Sequence, residues 1–108
     1  MADFTDKLQK INTFIFDFDG VLSDGKVYVH PDGEMVRATN VKDGYALQYA
    51  LRKGYNIAVI SGGYGESMRL RYRDFPGMEM YLKVSDKIVM FHEYLQKHNL
   101  QPENVLMM

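Results

Sequence analysis

The sequence predicts an α/β fold of three layers, a parallel sheet with helices on both faces, and a β-hairpin protruding from it. Three observations carry that prediction. Short apolar runs at residues 12–18 and 56–60 alternate with segments of helical periodicity. Within each run the residues are continuously apolar rather than alternating, the pattern of strands buried on both faces. The first run drives into Asp17-Phe18-Asp19-Gly20 and the second into Ser61-Gly62-Gly63. Small and polar residues at strand exits mark the edge where parallel sheets bind ligands.

Each element has its own signal. Residues 5–11 read as a short lead-in helix and residues 12–18 as the first strand. Gly20 to Gly25 is rich in turn formers. Residues 26–30 and 34–39 flank Pro31-Asp32-Gly33, which predicts a hairpin over 26–39. Val27 and Val29 alternate with Tyr28 and His30, as in an exposed ribbon. A lone hairpin is marginal in water, so this one needs support, such as another subunit. Asp43 to Lys53 is helical, with Ala46, Leu47, Ala50 and Leu51 on the inner face and Gly54 ending it. Glu66 to Phe75 is a second helix, with Met68, Tyr72 and Phe75 inward and Pro76-Gly77 as its stop. Arg69, Arg71 and Arg73 are assigned to its wet side. Residues 79–83 form a weaker strand. Ser85 is placed to cap a helix running to about His98, whose inner face is Ile88, Phe91 and Leu95. Val105 to Met108 begins a fourth core strand.

Bulk properties set the outer bounds. A chain of 108 residues fits one domain, 1–108, with a modest core. With 46% hydrophobic and 25% charged residues, it has an ordinary globular profile. A net charge of −1 gives no support for a nucleic-acid surface. The absence of cysteine excludes disulfides and thiolate metal sites. Met1 to Lys7 shows no signal-peptide pattern, and no apolar run reaches the roughly 20 residues of a membrane span. The expectation is a soluble cytoplasmic protein.

The chemistry concentrates at Asp17 and Asp19. In an extended segment, residues two apart point the same way, so both carboxylates are expected to share one space. Two such acids repel unless a cation or a shared proton relieves them. A hard cation such as Mg²⁺, with a phosphorylated substrate, suits them. Ser61 falls at the same sheet edge, and Lys87, opening the helix after the third strand, can reach it. Other readings of these residues fail. A calcium loop starting at Asp17 would need glycine and glutamate where Leu22 and Tyr28 stand. Gly63-x-Gly65 lacks the third glycine of a dinucleotide fingerprint, since Met68 stands there. His30, His92 and His98 share no metal-ligand spacing, and the eight methionines read as fillers of core gaps.

Taken together, the apolar strand into Asp-x-Asp-Gly-Val-Leu-Ser-Asp-Gly, the strand into Ser-Gly-Gly and the Asp86-Lys87 pair resemble the haloacid dehalogenase superfamily of phosphotransferases. The hairpin, Asn40-Val41-Lys42-Asp43-Gly44-Tyr45 and Ser85-Asp86-Lys87 resemble its capless branch, which contains 3-deoxy-D-manno-octulosonate 8-phosphate phosphatase. The resemblance covers essentially the whole chain. It implies a Rossmann-like core without a cap domain and a Mg²⁺-dependent phosphatase. Asp17 matches the family nucleophile, which forms an aspartyl-phosphate. Asp19 matches the general acid/base, and its backbone carbonyl a magnesium ligand beside Asp17. Ser61 matches the hydroxyl on the phosphoryl oxygens, and Lys87 the cation pairing with phosphate and nucleophile. Gly20, Asn40, Lys42 and Gly62 fall in the segments placed around the substrate. Gly62 is expected at a helix N-terminus, offering its N–H to the anion.

The resemblance further implies a sugar-acid phosphate substrate, most of all 3-deoxy-D-manno-octulosonate 8-phosphate, with a nonulosonate 9-phosphate as the alternative. It implies a role in lipopolysaccharide precursor synthesis in a Gram-negative bacterium and a homotetramer assembled through the hairpins. Two departures stand out. The family carries a further acidic motif after the fourth strand, completing the magnesium site, and this sequence reaches only Met108. Many members carry arginine after the Ser/Thr-Gly pair, where this chain has Gly63-Tyr64. A fragment that binds phosphate or oligomerises without turnover is therefore the expectation from another class.

Overall fold

Four short strands form one parallel sheet in the order β5-β4-β1-β6. The computed structural model describes residues 4–108. In chain order the elements are α1 (Phe4–Gln9), β1 (Thr13–Phe16), β2 (Tyr28–Val29), β3 (Met35–Val36), α2 (Val41–Arg52) and β4 (Asn56–Ile60). They continue with α3 (Glu66–Tyr72), β5 (Glu79–Tyr81), α4 (Lys87–Lys97), a 3₁₀ turn (Pro102–Asn104) and β6 (Val105–Met107). Met1, Ala2 and Asp3, the start of the segment read as lacking a signal peptide, lie outside the described residues. No helix among the described residues is long and apolar enough to cross a membrane.

The central strands β1 and β4 are covered on both sides, while the edge strand β6 leaves Leu106 and Met107 exposed. Ile57 and Val59 of β4 pack with Phe18, Leu47, Met68, Tyr72 and Phe75, beneath α2 and α3. Ile15, Ala58 and Ile60 point the other way and pack with Tyr94 of α4. Alternate side chains of one strand thus feed two cores, as the pleat requires. Tyr81 meets Tyr94 edge-on at 6.2 Å between ring centroids, and Tyr72 meets Phe75 at 5.0 Å. Such contacts add about 0.5–1.5 kcal/mol beyond burial.

Several boundaries differ from the sequence-based expectation. Strand β1 stops at Phe16, because the Phe18 carbonyl accepts from the N–H groups of Val21, Leu22 and Ser23 and curls the chain into a turn. Asp17 and Asp19 therefore do not continue an extended strand. Helix α2 begins at Val41, not Asp43, because the Asn40 side chain accepts from the Lys42 N–H at 2.7 Å. Its buried residues are Gly44 and Leu47; Ala46 is exposed. Arg71 explains the swap: its guanidinium lies so near Gly44 that any Cβ there would collide with it. Arg71 is accordingly not on a wet face. It donates to Thr39 Oγ1 at 3.1 Å and lies over the rings of Tyr72 and Phe75.

On α4 the cap is Asp86, not Ser85. Its carboxylate accepts from both the Ile88 and Val89 N–H groups at 3.1 Å. Ile88 is exposed and the inner face is carried by Phe91, Tyr94 and Leu95. Both apolar residues of the first turn, Ile88 and Val89, face out. The hairpin is shorter than 26–39, with Tyr28 opposite Val36 and Val29 opposite Met35, and a single bridge joins Ser23 to Thr39.

Candidate active site

Three strand ends converge on one edge. β1 runs into Asp17, β4 into Ser61, and β5 into the loop that opens α4 at Lys87. Because the strands are parallel and in register, these exits lie side by side. The Asp17 N–H donates to the Met108 carbonyl at 2.8 Å, fixing the nucleophile candidate to the line of β6.

Asp17 and Asp19 do not share a partner. Asp17 Oδ1 accepts from the Phe18 N–H at 2.7 Å, and Asp17 Oδ2 from Lys87 Nζ at 3.0 Å, across 70 residues of sequence. Both side chains of that pair are about half-exposed. An exposed pair of this kind contributes about 0–1 kcal/mol, so its role is to place charge rather than to hold the fold. Asp19 turns to the hairpin instead. Its Oδ1 accepts from Arg37 Nε at 2.6 Å and its Oδ2 from Arg37 Nη2 at 3.3 Å, a two-point clasp. Ser23 Oγ adds a longer contact to Oδ1 at 3.4 Å. The Arg37 side chain is only 5% exposed. A guanidinium that buried requires a charge partner, and Asp19 is it.

Ser61 is 1% exposed, and its Oγ accepts from the Gly63 N–H at 3.1 Å. It thereby ties the Ser-Gly-Gly turn into a fixed shape. The Ser61 carbonyl accepts from Val84 N–H and the Gly63 carbonyl from Lys83 N–H, joining this turn to the loop after β5. Lys83 adopts a φ of 58°, a left-handed conformation uncommon for a residue with a side chain. Gly62 is not at a helix N-terminus: α3 starts four residues later, with Gly65 as its N-cap. Gly20 takes a φ of 83° within the turn that follows Asp19. Asn40 spends its side chain on capping α2, and Lys42 stands exposed in that helix's first turn. Neither is brought against Asp17 by any contact.

Arg37 is the residue that sequence reasoning missed. Read along the chain it is one polar residue of an exposed ribbon, and no spacing rule links it to Asp19, 18 positions earlier. The structure shows that the glycines at 63 and 65 make room for it. A Cβ on Gly63 would lie 2.9 Å from Arg37 Nη2 and 3.0 Å from Asp19 Oδ2, and a Cβ on Gly65 only 2.7 Å from the Met35 carbonyl. Bare backbone there admits the hairpin.

Asp17 and Asp19 offer only oxygen donors, the set that suits a hard cation such as Mg²⁺. Such a site completes its shell with water and substrate phosphate rather than with a full protein cage. Among the described residues no group of three or more His, Asp or Glu side chains stands ready to hold a metal. The donor set therefore fits a partial magnesium site.

A second charged cluster lies at the opposite end of β5. Glu79 accepts from the Tyr81 hydroxyl, from His98 Nε2 at 2.9 Å and from Lys97 Nζ at 3.2 Å. Burial disfavours the charged form of Glu79, but the Tyr81, Lys97 and His98 contacts outweigh it and leave the carboxyl below its usual range. Burial, with the Glu79 charge nearby, pushes the Tyr94 hydroxyl up to about 12. His98 stacks obliquely on Tyr94 at 4.4 Å. The cluster fastens the sheet's edge strand to the end of α4, a structural duty.

No protein-family profile matches the chain. Curated sequences do. The chain is 36% identical over 104 residues to the 3-deoxy-D-manno-octulosonate 8-phosphate phosphatase of Escherichia coli strain K12, covering 96% of this chain and 55% of that protein. It spans about half the length of the curated relatives it matches. Among solved structures, the Yersinia pestis enzyme of that name superposes with a TM-score of 0.88 at 33% identity, over 94% of this chain and 55% of that one. The cobalt-bound Haemophilus influenzae deoxy-D-mannose-octulosonate 8-phosphate phosphatase gives 0.86 at 26%, over 94% and 59%. The Moraxella catarrhalis enzyme, solved with magnesium, phosphate and KDO, shares the fold with a TM-score of 0.89 at 24% identity, over 99% and 62%.

Proposed function

We propose that this chain belongs to the 3-deoxy-D-manno-octulosonate 8-phosphate phosphatase family of the haloacid dehalogenase superfamily, to whose members it is similar, and acts as a magnesium-dependent phosphomonoester hydrolase. The observation that carries this reading is the meeting of Asp17 and Lys87 at 3.0 Å on the ligand-binding edge of the sheet. The substrate is 3-deoxy-D-manno-octulosonate 8-phosphate, the molecule that its relatives are named for.

On this reading the reaction proceeds in steps. Asp17 Oδ attacks phosphorus, the bond to the sugar oxygen breaks, and the phosphoryl group passes to the carboxylate. Asp19, in its protonated form, gives a proton to the departing alkoxide, and the carboxylate so formed, held by Arg37, takes one from the water that hydrolyses the aspartyl-phosphate. Lys87 balances the anionic charge beside Asp17. The Ser61 oxygen is engaged by Gly63 N–H, which leaves its own proton to donate to a phosphoryl oxygen. Magnesium would be held by the Asp17 carboxylate and by the Asp19 backbone carbonyl, since Arg37 takes both Asp19 side-chain oxygens, and when bound it supplies positive charge next to the phosphate. Gly20 and Gly62, in the turns after Asp19 and Ser61, border the proposed phosphate space; Asn40, spent on capping α2, and the exposed Lys42 are not drawn to it by any contact.

The hairpin supports a further reading as an assembly element. Tyr28 and Val29 are exposed, Val29 to 70%, which is costly for a solitary ribbon and suits contact with a second copy in a homotetramer. We place the protein in the cytoplasm and in lipopolysaccharide precursor synthesis.

Phosphate release from 3-deoxy-D-manno-octulosonate 8-phosphate, with Mg²⁺ and after chelation, tests the reading. Release that requires Mg²⁺ and exceeds release from a nonulosonate 9-phosphate supports it. Equal release with and without chelator contradicts it.

A further inference from the structure

We infer that Arg37 is a positioning residue for Asp19, so that the hairpin, rather than the sheet, sets how the general acid meets the leaving-group oxygen. The inference rests on the phosphatase reading and extends it to a residue outside the strand-end motifs. The guanidinium is held on several sides. Its Nη1 lies 3.4 Å from both the Met35 and the Tyr64 carbonyls, one in the adjoining β3 and one on the Ser-Gly-Gly-Tyr loop. Its Nε and Nη2 then take both oxygens of Asp19. A planar fork gripping both oxygens fixes the plane of the carboxyl group, which a single-point contact cannot do.

The hairpin is itself anchored, so that this grip has a fixed origin. Glu34 Oε1 accepts from the Ser67 N–H at 3.1 Å, and Thr39 Oγ1 from Arg71 Nε at 3.1 Å. The Gly63 and Gly65 faces are bare where Arg37 and the Met35 carbonyl press on them. From residue 34 to residue 39 the second strand of the hairpin is thus fastened to α3 and to the loop that precedes it. Asp17 has no such tie to the hairpin; its lysine comes from α4. The hairpin thus grips Asp19 directly, while the Asp17 carboxylate is held from α4.

The test compares two esters. An alkyl phosphate such as 3-deoxy-D-manno-octulosonate 8-phosphate needs its leaving oxygen protonated; p-nitrophenyl phosphate releases a stable phenolate and needs little help. Arg37→Ala should lose roughly a hundredfold more kcat on the alkyl than on the aryl ester, with KM moving less than kcat. Asp19→Asn should show the same split, and the double variant should be no worse than Asp19→Asn alone. Arg37→Lys should fail to restore the alkyl rate, because an ammonium cannot make the fork. Equal losses on both esters, full rescue by lysine, or losses that multiply in the double variant would each overturn the inference.

A measurement independent of turnover separates this inference from the phosphatase reading. In ¹H–¹⁵N spectra the Arg37 Nε–H should exchange slowly in the unaltered protein and fast in Asp19→Ala. Fast exchange in the unaltered protein overturns the positioning role whether or not the chain releases phosphate. Slow exchange in an unaltered chain that hydrolyses neither ester upholds the clasp and sinks the phosphatase reading alone.

Discussion

Asp17 and Asp19 stand two residues apart, yet they are held by opposite means. Asp17 faces a half-exposed lysine delivered by the helix that follows β5, and the contact places charge without adding much stability. Asp19 faces an arginine buried to 5% exposure and delivered by the hairpin, and the contact is part of how the hairpin docks. The difference teaches that a short motif fixes where two carboxylates begin, while the rest of the fold decides what each can do. A nucleophile must stay open to attack phosphorus. An acid that works at a distance from the bond-forming atom tolerates, and gains from, being oriented.

The sharpest way to break this contrast is to remove each acid in turn. Asp17→Asn should lower kcat by roughly a thousandfold or more, since a carboxamide cannot carry the phosphoryl group. Its stability should change by less than about 1 kcal/mol in chemical denaturation. If activity survives, Asp17 is not the nucleophile. Asp19→Ala should do the reverse to the fold: a buried guanidinium left without a partner costs about 2–3 kcal/mol, below the fully buried figure because Asp19 itself is half-exposed. Denaturation midpoints of Asp17→Ala and Asp19→Ala, measured side by side, check the difference. Equal midpoints would erase it.

Glu79 offers a third acid, with purely structural work, to set against the other two. Its folded carboxyl sits below the ordinary 4.5, so the stability it adds is fully present above that value. That stability is lost as pH falls through the lower, folded pKa. Glu79→Gln should cost about 1 kcal/mol near neutrality and flatten the acid limb of the stability–pH curve, with the alkyl-to-aryl rate ratio unmoved. A change in that ratio would mean that the two ends of β5 communicate. The smallest effect is expected for Gly63→Ala. Its new Cβ would displace the flexible end of Arg37 and the Asp19 carboxylate, not backbone, so stability should fall by less than about 1 kcal/mol. The Arg37 Nε–H, whose bond to Asp19 Oδ1 the new Cβ does not meet, should exchange faster than in the unaltered protein but slower than in Asp19→Ala, while Lys87 keeps Asp17.

Much of this architecture was legible because local chemistry and global role coincide. Asn56–Ile60 reads as a buried strand and is one, with both faces covered. Lys87 opens a helix after a strand, and the parallel register then carries it to Asp17. The errors arose where two residue types satisfy the same local rule. Ser85 and Asp86 are both good caps, and only the path of the loop lets Asp86 reach two N–H groups. Ala46 and Gly44 are both small, and only the position of Arg71 decides which faces inward. The Arg37–Asp19 clasp was illegible for a different reason. It depends on how a ribbon docks across a glycine loop, and no periodicity in either segment encodes that distance.

The most direct test of the central claim is to trap the intermediate. The chain would be mixed with Mg²⁺ and 3-deoxy-D-manno-octulosonate 8-phosphate carrying a labelled phosphoryl group, quenched in acid and digested. Label on the peptide that contains Asp17, absent from the Asp17→Asn variant, is the predicted result. Substrate hydrolysed without label on that peptide, or equal label in the variant, would contradict the account.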